Sequence, residues 1–221
     1  MKGNARMKTT HIYLIRHGQS EANAAHAFIG QTDLDLTERG HLQAEMAAEY
    51  LKDTPVDAIY ASDLKRAYHT AVHTAEKRGI PIILERGLRE INAGEWENQS
   101  FVRLAELYPE SYGVKWRTNT GEARCDGGES VAELMERVTA TVSRIVRENE
   151  GKTVFLFTHA TPIRALRTAW EGRSASEMRE IPWAANASVS HAVYEDGAFR
   201  IVSYGVDDFQ GDLAGNLPPK G

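Results

Sequence analysis

The sequence predicts an α/β fold: a three-layer α/β/α sandwich with a mostly parallel central sheet. Two observations carry this. Short apolar runs rich in branched residues alternate with amphipathic stretches of helical period along most of the chain, the pattern of strands joined by crossover helices. The last two apolar runs, 188–194 and 198–204, are separated only by Asp196-Gly197 and its neighbours, a turn signal that makes them an antiparallel hairpin. The 221 residues, 42% hydrophobic and 26% charged, are enough for one sizeable core. With no repeat or linker evident, a single domain is expected over 7–206, with 1–6 and 207–221 as flexible ends.

The elements follow in order. His11–Ile15 is a short branched run ending just before Gly18, as expected of a buried parallel strand. Thr37 caps a helix to about Lys52 with Leu42, Met46 and Leu51 among its apolar positions. Val56–Tyr60 is a second strand. Ser62 caps a helix to about Arg78, ended by Gly79, and Pro81–Leu84 is a short strand. Residues 85–128 read as irregular, apart from a helix from Phe101 to Leu107 that stops before Pro109. Ser130 opens a helix through an S-x-x-E capping box with Glu133, placing Leu134, Val138, Val142, Ile145 and Val146 on one face. Thr153–Thr158 is a strongly apolar strand. Thr161-Pro162 then starts a helix, threonine as N-cap and proline at the first helical position.

Composition excludes several function classes. A net charge of −5 argues against a nucleic-acid protein, because phosphate backbones select for clustered positive charge. No apolar run approaches the roughly 20 residues that span a bilayer, and Met1 to Thr10 lacks the apolar core of a signal peptide. A single cysteine, Cys125, forms no internal disulfide. From these features a cytoplasmic chain is expected.

Two of the strands run into histidine-containing segments, Arg16-His17-Gly18 and Thr158-His159-Ala160. In an open parallel sheet the carboxyl ends of the strands form the ligand crevice, so neighbouring strands would bring His17 and His159 together. Helices start just after both. Their free N–H groups and dipoles favour an anion, although each dipole contributes only about 0.3–1 kcal/mol when exposed. Charged side chains must therefore supply most of the attraction. Arg16 adjoins the first histidine, and Arg66 lies one turn into the helix after the second strand. The planar guanidinium fork matches phosphate oxygens. Positioned cations stabilise a phosphoryl group in transfer, a neutral imidazole can attack phosphorus, and a carboxylic acid can protonate the departing alkoxide. Glu90 is a candidate for that acid, although the residues alone do not separate it from the other acidic groups.

The segment His11–Asn23, with IYLIRHGQSEAN at its centre, resembles the signature of the histidine phosphatase superfamily, the group that contains the cofactor-dependent phosphoglycerate mutases. The resemblance continues through Leu36–Gly40, Ala61–Ala67, Leu88–Ile91, Gly128–Ser130 and Thr158–Arg164, in the family's order and across most of the chain. It implies a phosphoglycerate mutase-like fold and a metal-independent, cofactor-free phosphomonoesterase working through a phosphohistidine. It implies roles residue by residue. His17 matches the nucleophile. Arg16, Arg66 and His159 match the groups that hold phosphoryl oxygens. Asn23 matches a polar residue at the pocket edge, and Glu90 the acid that later activates water. Gln19, Ser20, Ser62 and Ala160 lie beside matched residues and are expected to support the pocket. The chain departs from the family pattern in three places. Ala160 stands where the family usually has glycine. Asp35 stands for a frequent proline before Leu-Thr. Asn98 stands for glycine after Trp96-Glu97, a left-handed turn that asparagine tolerates.

Other residues carry weaker readings. His69 and His73 have the i, i+4 spacing of a metal pair, but no further ligand cluster accompanies them, and no metal is expected. His26 belongs either at the pocket or on an exposed loop. Glu129 orients a catalytic group or simply starts a helix. Trp96, Trp116, Trp170 and Trp183 line a cleft or pack in the core. The expected partner is a small phosphorylated metabolite, its specificity set by 24–35 and 92–127. A homodimer is compatible with the chain, which carries no signal for oligomeric state. Segment 92–126 resembles the phosphatase branch. A mutase that returns the phosphoryl group to a sugar acid is the alternative, followed by a non-catalytic phospho-ligand module.

Overall fold

The computed structural model describes residues 8–118 and 120–214. A six-stranded sheet has the order β4-β3-β6-β1-β7-β8, built from β1 (Thr10–Arg16), β3 (Ala58–Ala61), β4 (Ile82–Leu84), β6 (Thr153–Thr158), β7 (Val189–Glu195) and β8 (Ala198–Val206). Strands β4, β3, β6 and β1 are parallel, and the β7–β8 hairpin adds antiparallel to β1. A separate two-residue pair joins β2 (Ala27–Phe28) to β5 (Gln99–Ser100), tying together the two segments expected to wall the site.

Side chains alternate across the strands, so each face has its own core. Ile15, Ile59, Ala61, Phe155 and Phe157 pack toward α2 (Glu38–Tyr50) and α3 (Lys65–Arg78). Ile12, Leu14, Tyr60, Val154 and Leu156 pack toward α5 (Val131–Glu148) and α6 (Ala160–Trp170). All five apolar positions expected on α5 are buried, and its capping box forms as read. The sheet with helices on both faces is the expected α/β/α arrangement.

Several expectations are corrected. The buried face of α2 is Gly40, Gln43, Ala44, Ala47 and Ala48, whereas Leu42 is exposed. Small residues there let α2 lie close to α3 and to the loop after β1. Strand β3 begins at Ala58, two residues later than expected. Helix α3 begins at Lys65 without a side-chain cap, because its N-cap position falls on Leu64, and the Ser62 hydroxyl, two residues earlier, pairs with His159. Helix α6 begins at Ala160 with His159 at its N-cap position. Pro162 is thus third in the helix, still in the first turn, where no N–H is missed. Pro109 ends α4 (Phe101–Leu107) but does not leave the chain irregular, since Pro109–Trp116 winds into a π-helix. Residues 208–213 are not a loose end. They form a 3₁₀ turn with Gln210 buried, and Phe209 stacks on Tyr50 of α2. The expectations for 1–6 and 215–221 lie outside the described residues.

Candidate active site

The β1–β6 register pairs Arg16 with Thr158, and the His17 amide donates to the Thr158 carbonyl at 3.0 Å. The two histidines therefore leave adjacent strand ends together, their ring centroids 5.1 Å apart. Backbone contact fixes the first of them. A side chain on Gly18 would meet the Gly40 carbonyl oxygen at 2.3 Å, so the loop lies directly on the first turn of α2. The Gly18 amide donates to Thr70 Oγ1 of α3 at 3.0 Å, and the Gln19 amide to Gln43 Oε1 at 2.8 Å. On the far side, Asn186 Nδ2 donates to the carbonyls of His17 and Gly18.

His17 Nδ1 lies 2.7 Å from the Gly18 carbonyl. A carbonyl only accepts, so Nδ1 carries the proton and the neutral ring's lone pair is on Nε2. Burial, then the charges of Arg66 and Arg16, hold His17 well below the ordinary imidazole value. Burial and the charge of Arg66 do the same to His159. His159 Nε2 pairs with Ser62 Oγ at 2.8 Å, while its Nδ1 is buried with no partner among the described residues.

Arg16 and Arg66 are 8% and 1% exposed, with Glu90 7%, His17 4% and His159 0%. Buried cations are normally paired, yet each guanidinium is held mainly by backbone carbonyls. Arg16 Nη1 donates to Ala184 O at 2.7 Å, and its buried Nε is without a partner among the described residues. Arg66 donates to Thr32 O at 2.9 Å and Gly30 O at 2.6 Å. Burial lowers Arg16 to about 10, with Glu90 opposing the shift, and lowers Arg66 in the same sense. Glu90 itself is raised by burial, against the N–H groups of Ile91 and Thr161 that its carboxyl accepts. Two cations, two imidazoles held toward the neutral form and one carboxyl of raised pKa make one buried, electrostatically coupled cluster. Its charge balance favours an added anion.

The second group of expected residues lies just beyond the ends of the same strands. Ser20 and Asn23 form a reciprocal capping box at α1 (Glu21–Ala24), and Asn23 Oδ1 also accepts from Asn186 at 3.0 Å. Gln19 Oε1 accepts from Thr37 Oγ1 at 2.9 Å, which ties its side chain to the N-cap of α2. Ala160 is the first residue of α6 and is absent from the positive-φ positions, so glycine's conformational freedom is not required there. Asp35 accepts from His69 at 2.6 Å. Asn98 adopts φ +62°, the left-handed turn expected of it. His26 is on an exposed loop, also at positive φ.

Trp96 does not line a cleft. It is fully buried against Phe28, Tyr112 and Trp116, with its Nε1 donating to Asp126. Trp170 stacks on Phe199, and Trp183 lies under the Arg164 guanidinium. Sequence reasoning missed Asn186, whose isolated position carries no pattern. It also missed Arg137, which chelates Glu129 and donates to the carbonyls of Gly87, Arg89 and Glu90. Through Arg137, Glu129 does hold the segment that carries Glu90. The i, i+8 spacing of this pair across the start of α5 was the available signal.

A family model for the histidine phosphatase superfamily, branch 1, matches residues 12–207. Phosphoserine phosphatase 1 of Hydrogenobacter thermophilus is 34% identical over 166 residues, 75% of this chain and 78% of that protein. Phosphoglycerate mutase-like protein 4 of Arabidopsis thaliana is 32% identical over 181 residues, 81% and 77% of the respective chains. Among solved structures, Bacillus stearothermophilus YhfR superposes with a TM-score of 0.86 at 28% identity, covering 90% of this chain and 99% of that one. With a family match running from the first strand to the last and the motif histidines meeting at adjacent strand ends, the chain belongs to the histidine phosphatase superfamily.

Proposed function

We propose that this phosphatase hydrolyses small phosphate monoesters in two transfers, with His17 Nε2 as the nucleophile. The observation that carries the reading is the Nδ1 contact to the Gly18 carbonyl. It fixes the tautomer and leaves the Nε2 lone pair available in a ring kept neutral by burial and two arginines. Arg16, Arg66, the His159 Nδ1 that has no partner among the described residues, and the Ala160 N–H at the start of α6 seat the phosphoryl oxygens. The two guanidinium groups supply the positive charge that the transfer requires.

In the first step Nε2 forms a bond to phosphorus as the ester P–O bond breaks, and protonated Glu90 gives its proton to the departing oxygen. The raised pKa of Glu90 favours the protonated form that this requires. In the second step the Glu90 carboxylate takes a proton from water, the water oxygen bonds to phosphorus, and the N–P bond breaks. Ser62 orients His159, while Ser20 and Asn23 brace the loop after His17. Asn23 Oδ1 is committed to that bracing, so its Nδ2 is the atom offered to the phosphate. The substrate is a small phosphorylated metabolite of the cytoplasm. The β2–β5 pair joins the segments that meet its leaving group.

The test is phosphate release from p-nitrophenyl phosphate in excess chelator, comparing wild type with His17→Ala. Turnover by wild type alone, with a transient acid-labile phosphoenzyme, is the expected result. Equal turnover by His17→Ala refutes the mechanism. Transfer between phosphoglycerates without phosphate release would instead favour the mutase reading.

A further inference from the structure

We propose that Glu97 is a positioning residue for phosphoryl transfer, folding residues 30–32 into a cradle whose carbonyls hold the Arg66 guanidinium. The inference rests on the reading of Arg66 as a phosphoryl ligand given above.

The Glu97 carboxylate accepts four hydrogen bonds from one short loop. Gly30 N donates to Oε2 at 3.1 Å, Gln31 N to Oε1 at 2.6 Å, Thr32 N to Oε2 at 3.3 Å, and Thr32 Oγ1 to Oε2 at 2.8 Å. Successive amides converging on one anion turn the loop's carbonyls outward. Two of those carbonyls, Gly30 O and Thr32 O, receive the two terminal nitrogens of Arg66. The peptide unit between Gly30 and Gln31 is shared. Its N–H meets Glu97 and its C=O meets Arg66, both at 2.6 Å. A carboxylate and a guanidinium are thereby linked through one polarised peptide, an arrangement in which each hydrogen bond strengthens the other.

The surroundings leave the cradle little freedom. A side chain on Gly30 would meet the Ile91 carbonyl oxygen at 2.2 Å, so the loop is pressed against the segment following Glu90. Gln31 Nε2 donates to the Glu90 carbonyl at 3.1 Å, and Gln31 Oε1 accepts from Arg89. Asn98 turns the chain immediately after Glu97, and its Nδ2 reaches Thr32 Oγ1 at 3.2 Å. Glu97 therefore answers a specific need. Arg66 is almost wholly buried yet reaches no carboxylate by direct hydrogen bond among the described residues, so its position depends on carbonyls that are themselves set by an anion one peptide away.

Coupling separates this role from a merely structural one. The measurement is kcat/KM for p-nitrophenyl phosphate, with the inhibition constant of inorganic phosphate, in wild type, Glu97→Gln, Arg66→Ala and the double variant. Glu97→Gln keeps the shape but loses the charge that gathers the amides. We expect about a tenfold loss in kcat/KM and weaker phosphate inhibition, as for removal of a charge-assisted hydrogen bond. In the Arg66→Ala background the same substitution should change kcat/KM less than about twofold. Equal losses with and without Arg66, or a wild-type value in Glu97→Gln, overturn the proposal. A wild-type value in Arg66→Ala overturns the reading of Arg66 itself, a separate failure. If Glu97→Gln does not melt cooperatively, Thr32→Val removes only the hydroxyl contact. It should give a smaller loss that also disappears without Arg66, and persistence of that loss refutes the coupling.

Discussion

Replacing Gly18 with alanine tests whether the backbone contact behind His17 sets the nucleophile. The added Cβ would lie 2.3 Å from Gly40 O and 2.9 Å from Gly40 C, whereas ordinary contact begins at 3.4 Å. The two backbones must separate by the difference, 3.4 − 2.3 = 1.1 Å. Helix α2 cannot easily yield, because Gly40 is itself pressed on the Gln19 carbonyl and Gln43 holds both the Gln19 amide and the Leu213 carbonyl. The loop must move, carrying the carbonyl that fixes His17 Nδ1. A misplacement of about 1 Å at a reacting group costs about 10²-fold, and an overpacked contact costs about 1–3 kcal/mol, or about 2–12 °C in Tm for a domain of this size. The assay is kcat/KM for p-nitrophenyl phosphate with a thermal melt. Gly113→Ala is the control, since a Cβ there finds nothing closer than 3.8 Å. Wild-type activity and Tm in Gly18→Ala would refute the argument.

Further outcomes follow from the charges of the site. Glu90→Gln should slow alkyl phosphates by about 10²–10⁴-fold, the usual contribution of a general acid, while p-nitrophenyl phosphate, with its good leaving group, loses less. The same variant should lose the basic limb of the kcat/KM profile, and equal losses on both substrates would contradict an acid role. Acid stability should report the buried histidines. His17 and His159 titrate well below 6.5 in the fold, so below 6.5 the unfolded chain binds more protons and stability falls as pH falls. Tm should therefore decline from about pH 6.5 downward, less steeply in His159→Asn. An unchanged slope in that variant would show that His159 is not buried neutral.

The strands of the central sheet, the histidines at their ends and the two arginines were legible because each sits in a local pattern, a branched apolar run, a glycine or a helix start, whereas the two-residue β2 and β5 carry no such pattern. Ser130 with Glu133 and the turn at Asn98 were legible for the same reason. The start of α6 was misread because proline's preference for a first helical position competed with a histidine that is both strand end and N-cap. The supports of the site were mostly illegible. Asn186 reaches His17 across 169 positions, and Arg66 meets Gly30 across 36. Contacts of that kind depend on how irregular loops are brought together, which no periodicity encodes. Trp96 carried an ambiguous signal because an aromatic residue in a variable segment suits a cleft or a miniature core equally, and here Phe28, Tyr112 and Trp116 close around it.

The place of β1 in the sheet has a consequence during synthesis. This strand is made first, yet its neighbours are β6 and β7, and His11 waits for Thr153 and then Val193. At about 5–20 residues per second, the 153 − 11 = 142 intervening residues take roughly 7–28 s to emerge. Throughout that interval an apolar strand has both edges without their native partners, a template for unwanted pairing. The nascent chain is thus most vulnerable before β6 appears. Chaperone dependence in the cell should track the rate of translation through the middle of the message more than the stability of the finished enzyme.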